Sequence, residues 1–235
     1  MHTKARKVMI IGAGNVGASA AYALLNQSIC EELILVDLNQ QRAEAHAQDL
    51  SDAAAYLPGM MTISTREASD CADVDIAVIT VSGGALRPGQ SIDAFILGEH
   101  GDTQFPVWSH SSVYGTPIAD LYQQRTGLPL DREAMADKVR KLGFEIYAGK
   151  GCTEYGVAGT IAEICRNIFT GSHRALAVSC ILDGEYGVSG AAAGVPAVLA
   201  QGGVKQIIEL QLAGEEQAKF SQSIAVIKAN IARLP

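Results

Sequence analysis

The chain has 235 residues, of which 48% are hydrophobic, and a formal net charge of −7. A chain of this size and hydrophobic content can bury a substantial core, which we expect to be divided between two lobes. Because the charge balance is acidic and the basic residues are scattered, we expect neither a nucleic acid nor an anionic membrane as a partner.

The cysteines are odd in number and lack C-x-x-C spacing: Cys30, Cys71, Cys152, Cys165 and Cys180. This pattern predicts reduced thiols that fill the core, rather than a disulfide framework or a zinc site. The N-terminal apolar run is too short for a signal peptide, and no stretch of the sequence could span a membrane. We therefore expect a cytoplasmic protein.

The first recognisable motif is a glycine-rich turn that follows a short apolar strand, predicted at residues 8–11. Residues 12–17 read Gly-Ala-Gly-Asn-Val-Gly, and a helix-like run comes next. In such a turn Gly12 permits a tight bend, Gly14 permits close approach of a pyrophosphate, and Gly17 permits close packing of helix on strand. With Asn15 and Val16 they open a helix whose free N–H groups suit an anion, which predicts a dinucleotide site.

A second apolar strand, predicted at residues 33–36, ends at Asp37, twenty residues after the last glycine. An acidic residue at this place accepts hydrogen bonds from the ribose hydroxyls of a bound dinucleotide. A carboxylate also repels a 2′-phosphate, and no arginine follows before Arg42, so NAD is favoured over NADP. The alternative is a glycine-rich turn in an ordinary βα unit.

Strand and helix signals alternate as far as residue 81, as they do in a parallel sheet. Helices are predicted at 16–25 and 42–50, and strands at 8–11, 33–36, 61–64 and 76–81. The loop that contains Gly83 and Gly84 follows the last of these strands. Ligands of open parallel sheets lie at this carboxyl edge.

The next strand-like run, residues 92–97, follows after only about ten residues, whereas a parallel crossover needs a dozen or more and normally a helix. The intervening segment is also rich in glycine and proline, with no helical pattern. The two strands therefore pair as a hairpin, pair distantly, or meet at a junction from which sequence is absent.

Residues 98–102 read Gly-Glu-His-Gly-Asp and place His100 between glycines at the end of this apolar run. An imidazole in that position can face a cleft and titrate near neutrality, which suits a general acid or base. On spacing alone, a structural or incidental histidine is the alternative.

The remaining part of the chain combines helices with antiparallel strands. Helices are predicted at 117–125, 132–147 and 153–169, and a strand at 175–182. Strands at 198–201 and 204–210 are predicted to form a hairpin closed by Gly202 and Gly203. The last helix carries an apolar stripe typical of core or subunit-interface packing: Phe220, Ile224, Ile227, Ile231 and Leu234.

Together these motifs resemble the L-lactate and malate dehydrogenase family, in particular its bacterial L-lactate or L-2-hydroxy acid dehydrogenase branch. The histidine block is the most specific of them. The residues that carry the resemblance extend over nearly the whole chain: Gly12 to Gly17 with Asp37, Leu97 to Asp102 with Pro106 to Ser109, Lys150 to Thr153, and Gly194 to Val198.

The resemblance implies hydride transfer between the nicotinamide of NAD and C2 of a 2-hydroxy or 2-oxo acid. His100 corresponds to the residue that donates a proton to the carbonyl oxygen and accepts it in the reverse direction. Thr153 resembles the threonine that lines the substrate pocket, with an N-cap at the start of a helix as an equal alternative.

Two further cofactor contacts are implied by the same resemblance. Gly83 and Gly84 resemble the loop that lies against the cofactor. Arg42 resembles a basic residue on the adenosine side, with a solvated arginine on a helix surface as the alternative.

Leu86 aligns with the family position that reads the substrate side chain. Lactate enzymes usually carry glutamine there, and malate enzymes carry an arginine that pairs with the second carboxylate. Leucine can do neither, and a buried carboxylate without a partner is costly. We therefore expect an apolar 2-oxo acid, from pyruvate up to a branched-chain acid, with a malate-type substrate as the disfavoured alternative.

The sequence departs from the family pattern between Gln90 and Ser91, where roughly 80 residues, about two βαβ-sized units, are missing. With them go the lid arginine that polarises the carbonyl, the arginine that binds the carboxylate, and the aspartate that orients the histidine. Because three charged partners are lost at one site, we expect activity to be impaired.

The predicted fold is α/β: a truncated Rossmann-type parallel sheet with an α+β C-terminal lobe. Residues 1–90 are expected to form the dinucleotide-binding domain, without its second half, and residues 91–235 the catalytic domain. The expected function is NAD-dependent oxidoreduction of a small 2-hydroxy acid by a homo-oligomer, a dimer or a tetramer. The alternative from another class is a non-catalytic remnant that binds nucleotide and self-associates.

Overall fold

A computed structural model describes residues 5–80 and 92–233 of the chain. In chain order its strands are β1 (Lys7–Ile11), β2 (Glu32–Val36), β3 (Thr62–Thr65), β4 (Ile76–Ile79), β5 (Ile92–Asp93), β6 (Ile96–Leu97), β7 (Phe105–Pro106), β8 (Ser112–Val113), β9 (Thr116–Pro117), β10 (Ala175–Asp183), β11 (Ser189–Ala200) and β12 (Gly203–Ile207). Its helices are α1 (Asn15–Asn26), α2 (Gln40–Ala54), α3 (Ile118–Thr126), α4 (Arg132–Lys150), α5 (Tyr155–Thr170) and α6 (Gly214–Ile231). No helix in the described part of the chain is long and apolar enough to cross a membrane.

The chain divides into two compact units. Of the described residues, unit 1 contains 5–80 and 143–170, and unit 2 contains 92–142 and 171–233. The boundary expected at residue 90 between two functional domains stays a prediction. By its contacts, the segment 143–170 packs with the N-terminal residues.

Unit 1 is built on a parallel sheet of four strands in the order β3-β2-β1-β4. The two central strands are buried along most of their length, as is typical of parallel strands with both faces covered. The core on one face joins β1 and β2 to α1, α2 and α5. Helix α5 packs on α1 through small residues that allow close approach: Ala20, Ala21, Ala158, Ala162 and Cys165.

Strand β4 is an edge of this sheet among the described residues, because it pairs there with β1 alone. Ile79 on this strand is 65% exposed. The order of strands corresponds to the first four strands of the doubly wound order 3-2-1-4-5-6. The truncated Rossmann-type sheet expected from the sequence is therefore confirmed.

The predicted single strand at residues 92–97 is wrong, because the structure divides it into β5 and β6. β5 pairs with β8, and β6 pairs with β7, so neither forms the hairpin with β4 that the sequence left open. The physical reason is local: a 3₁₀ helix, Trp108–His110, interrupts the partner segment between β7 and β8, so the two short ladders do not join.

Unit 2 contains an antiparallel sheet in the order β10-β11-β12. Its core lies where β10 and β11 meet α6 and the β6–β7 ladder. The largest buried side chains are contributed by all of these elements: Leu97, Phe105, Val107, Leu182, Val195 and Phe220.

The hairpin at the end of this sheet is confirmed, with Gly202 and Gly203 in the turn at φ values of +94° and +107°. Its first strand starts at residue 189, nine residues earlier than the predicted start at 198. The missed segment is rich in alanine and glycine, which have low strand propensity. It forms a strand because β10 pairs with it over its whole length.

The terminal apolar stripe is only partly buried. Phe220 and Ile224 lie in the core of unit 2 and Ile227 packs against it, whereas Ile231 is 45% exposed. Leu234 lies outside the described residues.

All the cysteines are free thiols, as expected. Cys30, Cys165 and Cys180 are buried, and Cys152 is partly exposed. The core-filling role predicted for Cys71 is wrong, because this residue is exposed on a short 3₁₀ helix, Ala68–Asp73, that buries none of its residues.

Candidate functional site

The glycine-rich loop of unit 1 has a conformation that only glycine accommodates at two of its positions. Gly12 has a φ of +105° and donates its N–H to the carbonyl of Val36 at 2.7 Å. A Cβ at Gly17 would lie 1.8 Å from the carbonyl oxygen of Gly12. The bend and the close packing of α1 on β1 therefore both depend on the absence of a side chain.

Gly14 differs from these two glycines because its surroundings are open. A Cβ added there would meet no atom of the chain within 4 Å. Gly14 is also the N-cap of α1 and provides no capping side chain, so the first N–H groups of the helix, from Asn15 and Val16 onward, have no side-chain cap. An anion can therefore approach the backbone closely at this helix end.

Asp37 lies directly after β2 and is tied to the glycine loop. Its Oδ2 accepts a hydrogen bond from the N–H of Ala13 at 2.7 Å, and its Oδ1 accepts one from the N–H of Asn39 at 2.8 Å. The bond from Asn39, then that from Ala13, with a smaller contribution from the charge of Arg42, lower the pKa of this carboxyl. Asp37 is therefore a carboxylate at neutral pH.

Arg42 lies in the first turn of α2, where its backbone N–H is capped by the side chain of Asn39. The Arg42 side chain is exposed. This placement is compatible with both hypotheses for Arg42, a basic residue on the adenosine side of the cofactor and a solvated arginine on a helix surface.

Of the other residues predicted to contact the cofactor or the substrate, the structure describes only Thr153. Gly83, Gly84 and Leu86 lie outside the described residues. Thr153 belongs to unit 1, in the segment between α4 and α5, and is partly buried. The residue immediately before α5 is Glu154, whose carbonyl accepts from Ala158, so the N-cap position that the sequence left open for Thr153 is taken by Glu154.

The histidine loop belongs to unit 2 and begins at Gly98, which has a φ of +99°. Gly98 exchanges two backbone hydrogen bonds with Gly194 of β11. A Cβ at Gly98 would lie 2.4 Å from the hydroxyl oxygen of Ser223 on α6. The loop is thus fixed between a strand and a helix, and only glycine fits at its base.

A hydrogen-bond network behind the loop holds the residue that precedes His100. The N–H of Glu99 donates to the fully buried Ser223 hydroxyl at 2.7 Å. Thr103 donates to the carboxylate of Glu99 at 2.6 Å and lies 2.9 Å from the same Ser223 hydroxyl. Sequence reasoning missed Ser223, because this residue is 124 residues away from Glu99 and lies inside an ordinary helical pattern.

The imidazole of His100 is exposed. Within residues 5–80 and 92–233 it has no hydrogen-bond or ion-pair partner. An exposed imidazole on a fixed loop can exchange a proton with a bound molecule, but no carboxylate among the described residues orients its ring.

A second network, in unit 1, was also missed by sequence reasoning. Asn15 donates from its amide nitrogen to the sulfur of Cys152 at 3.3 Å. The Cys152 thiol donates to Glu154, whose other oxygen accepts from Lys150 at 2.5 Å. The sequence predicted Cys152 only as a core residue, and nothing local connects it to a loop 137 residues earlier.

The residues present in unit 1 suit NAD. The open backbone at Gly14 and the uncapped start of α1 match the pyrophosphate. The ionised carboxylate of Asp37, after β2, matches the ribose hydroxyls. In the described ranges no group of three histidine, cysteine or acidic side chains is arranged to hold a metal ion.

The chain matches two family models. Residues 6–96 match the lactate/malate dehydrogenase NAD binding domain, and residues 80–234 match the lactate/malate dehydrogenase alpha/beta C-terminal domain. The matched ranges overlap at 80–96, and the junction predicted between Gln90 and Ser91 lies within this overlap.

Two similar proteins align with nearly the whole of this chain, over more positions than the chain has residues. L-lactate dehydrogenase 2 of Listeria innocua is 48% identical over 307 residues, covering 97% of this chain and 99% of that protein. L-lactate dehydrogenase 3 of Bacillus thuringiensis is 32% identical over 310 residues, covering 97% and 98%. The Listeria alignment exceeds the 235 residues of this chain by 72 positions, so at least 72 residues of that protein have no counterpart here.

Two solved structures of lactate dehydrogenases have a fold similar to that of this chain. MGS-M5, a lactate dehydrogenase from a Medee basin deep-sea metagenome library, superimposes with a TM-score of 0.89 at 27% identity and covers 98% of this chain and 99% of its own. The minor L-lactate dehydrogenase of Enterococcus mundtii, in its ligands-bound form, gives 0.86 at 28% identity, with 99% and 100% covered.

Proposed function

Because the chain belongs to the lactate/malate dehydrogenase family and matches its NAD binding domain over residues 6–96, we propose that it acts as an L-lactate dehydrogenase-like enzyme on small 2-hydroxy and 2-oxo acids. The observation that carries the proposal is the glycine loop, bonded through Ala13 to the carboxylate of Asp37. Nearly half of the residues are shared with a protein named L-lactate dehydrogenase 2.

The cofactor is held by unit 1 in this proposal. The N–H groups at the start of α1 bind the pyrophosphate beside Gly14, and Gly12 and Gly17 keep the turn and the helix in place. Asp37 accepts hydrogen bonds from the adenosine ribose and disfavours a 2′-phosphate. NAD, when bound, accepts or supplies the hydride.

His100 is the proposed acid/base residue. Protonated, it donates to the carbonyl oxygen of the 2-oxo acid, and in the reverse direction it accepts the proton from the hydroxyl. The support is its position on a glycine-flanked loop that β11 and α6 hold in place. Thr153 is proposed to line the substrate pocket, on the basis of its match to the family motif.

The proposed substrate is an apolar 2-oxo acid, between pyruvate and a branched-chain acid in size. The support is the residue type at Leu86, which offers no charge to a second carboxylate. A malate-type enzyme is the disfavoured alternative for the same reason.

Self-association and a cytoplasmic location complete the proposal. Helix α4 carries large apolar side chains that are at least 40% exposed, which supports a homo-oligomer, either a dimer or a tetramer: Val139, Leu142, Phe144, Ile146 and Tyr147. The free thiols support a reducing compartment. Functionally, residues 1–90 are proposed as the dinucleotide-binding domain and 91–235 as the catalytic domain.

A second candidate function is a non-catalytic protein that binds nucleotide and self-associates. The observation that favours it is the exposed His100, which no described carboxylate orients, in a chain that has no counterpart for at least 72 residues of its Listeria relative. Loss of several charged partners at one site lowers the rate by orders of magnitude, because each charge-assisted hydrogen bond is worth about 1.5–3 kcal/mol.

The test is the loss of NADH absorbance after the purified chain is mixed with pyruvate, 4-methyl-2-oxopentanoate or oxaloacetate. Turnover of the first two that disappears in His100→Ala supports the enzyme. Faster turnover of oxaloacetate would contradict the apolar substrate. A folded sample that binds NADH without turnover would favour the second candidate, and one that does not bind NADH would contradict both.

A further inference from the structure

A polar contact joins the segment between α4 and α5 to the cofactor loop. The amide nitrogen of Asn15 donates to the sulfur of Cys152 at 3.3 Å. Asn15 is the first residue of α1, directly after the open Gly14. Both residues belong to unit 1, so the contact lies inside one compact body.

The sulfur is itself held by a charged pair. The Cys152 thiol donates to one oxygen of Glu154, and Lys150 donates to the other at 2.5 Å. The Glu154 side chain is about one-tenth exposed, and the Lys150 ammonium lies 3.9 Å from the centre of the Tyr155 ring. Glu154 accepts from both Lys150 and Cys152, so the donor direction runs from Asn15 to the thiol and from the thiol to Glu154.

The protonation states support this direction. The hydrogen bond from Cys152, followed by that from Lys150, lowers the pKa of Glu154. An ionised Glu154 can only accept, so the thiol proton points toward it. The lone pairs of the sulfur are then free to accept from Asn15.

We propose that Cys152 and Glu154 are positioning residues for the cofactor site: they hold Asn15 and thereby fix the first turn of α1 in the orientation that binds the pyrophosphate of NAD. The proposal rests on NAD binding by unit 1. Its physical basis is that α1 begins with an uncapped glycine, so no side chain at the N-cap fixes the first turn.

The test compares NADH dissociation constants, measured by fluorescence titration, with melting temperatures. Cys152→Ala and Glu154→Gln are expected to raise the dissociation constant about fivefold, the effect of one neutral hydrogen bond of about 1 kcal/mol. Cys152→Ser, which can still donate and accept, is expected to remain within about twofold of wild type. Cys71→Ala, at the exposed thiol of the same unit, is the matched control and is expected to change nothing.

A double-mutant cycle separates positioning from general stability. Asn15 is exposed, so Asn15→Ala leaves the core intact. It is expected to raise the dissociation constant as Cys152→Ala does, and the double variant is expected to be no weaker than either single one. Additive losses of NADH binding free energy in the double variant would overturn the proposal. A dissociation constant that rises in Cys152→Ser as much as in Cys152→Ala would also overturn it.

Hydrogen exchange distinguishes failure of this inference from failure of the proposed function. Backbone amides of residues 13–18 are expected to exchange faster in Cys152→Ala and Glu154→Gln than in wild type and Cys152→Ser. If the wild-type chain does not bind NADH, the proposed function fails, while faster exchange of residues 13–18 in the variants still supports the positioning network. Unchanged exchange of these amides in both Cys152→Ala and Glu154→Gln would overturn the positioning proposal.

Discussion

The carboxylate of Asp37 uses one oxygen to accept from the glycine loop and the other to accept from the start of the α2 turn. Each oxygen has two acceptor positions, so one on each remains for a ribose hydroxyl. The glycine loop and Asp37, the proposed ribose ligand, are therefore fixed relative to each other before any ligand binds, which would reduce the cost of ordering on binding.

Asp37→Asn tests this residue directly. Because the neutral amide has one acceptor oxygen in place of two and no charge, we expect the NADH dissociation constant to rise about 10- to 100-fold, as for loss of a charge-assisted hydrogen bond. The preference for NADH over NADPH should narrow as well. Fluorescence titration with both cofactors measures this, and Glu44→Gln on the exposed side of α2 is the control. Unchanged discrimination would exclude Asp37 as the ribose ligand.

Gly17→Ala and Gly159→Ala form a matched pair of glycine substitutions in helices. A Cβ at Gly17 collides with the carbonyl of Gly12, so we expect a loss of about 1–3 kcal/mol in the free energy of unfolding together with weaker NADH binding. Gly159 on α5 has open space around it, so alanine there is expected to stabilise by about 0.5–1 kcal/mol. Urea denaturation measures both, and equal effects would contradict the packing argument.

At the scale of elements, the N-terminus of α6 is held by one buried carboxylate. Glu216 accepts from the Ser109 N–H at 3.0 Å, from the Ser109 hydroxyl at 2.5 Å and from the Ala213 N–H at 2.9 Å. Burial raises the pKa of this carboxyl, but the hydrogen bonds lower it more, and the pKa lies below its ordinary value. The same helix carries Ser223, which supports the histidine loop.

Glu216→Gln gives a pH-dependent prediction. A carboxyl whose pKa is lower in the folded state stabilises the fold above its ordinary pKa, and this contribution disappears as the pH falls through the folded value. We expect the variant to be less stable than wild type by about 1–3 kcal/mol at pH 7, and the difference to shrink on acidification below the ordinary carboxyl range. Thermal melts from pH 7 to 3 measure it. Glu215→Gln, the exposed neighbour, should show no such trend.

The elements differ in how far the sequence could predict them. The cofactor loop and Asp37 were predictable, because their glycines, strands and spacing lie within one local stretch. The supports of the site were not: Ser223 acts on Glu99, and Cys152 acts on Asn15, across more than 100 residues. The first nine residues of β11 were missed because alanine and glycine form a strand there only through pairing with β10.

At the scale of the whole molecule, two surfaces of the described chain expose large apolar side chains. One is the edge strand β4, with Ile79 exposed. The other is the apolar side of α4. Open strand edges and large apolar patches favour association between copies.

Ile79→Lys tests the contribution of the β4 edge to association. A charged side chain on an edge strand opposes pairing with another strand. We expect the wild-type chain to elute as concentration-dependent oligomers in size-exclusion chromatography with light scattering, and the variant to shift toward smaller species. Val139→Lys on α4 gives a separate measure of the helix surface. Identical profiles for wild type and Ile79→Lys would show that β4 does not mediate association.

The packing of α5 on α1 also determines the order in which the chain can fold during synthesis. The apolar face of α1 is complete once residue 26 has been made, but its partner side chains, Ala158, Ala162 and Cys165, are made more than 100 residues later. Until they emerge from the ribosome, α1 and α2 are the described helices available to cover this face of the N-terminal sheet. Contacts between residues so far apart in sequence slow folding and leave apolar surface accessible to chaperones in the meantime.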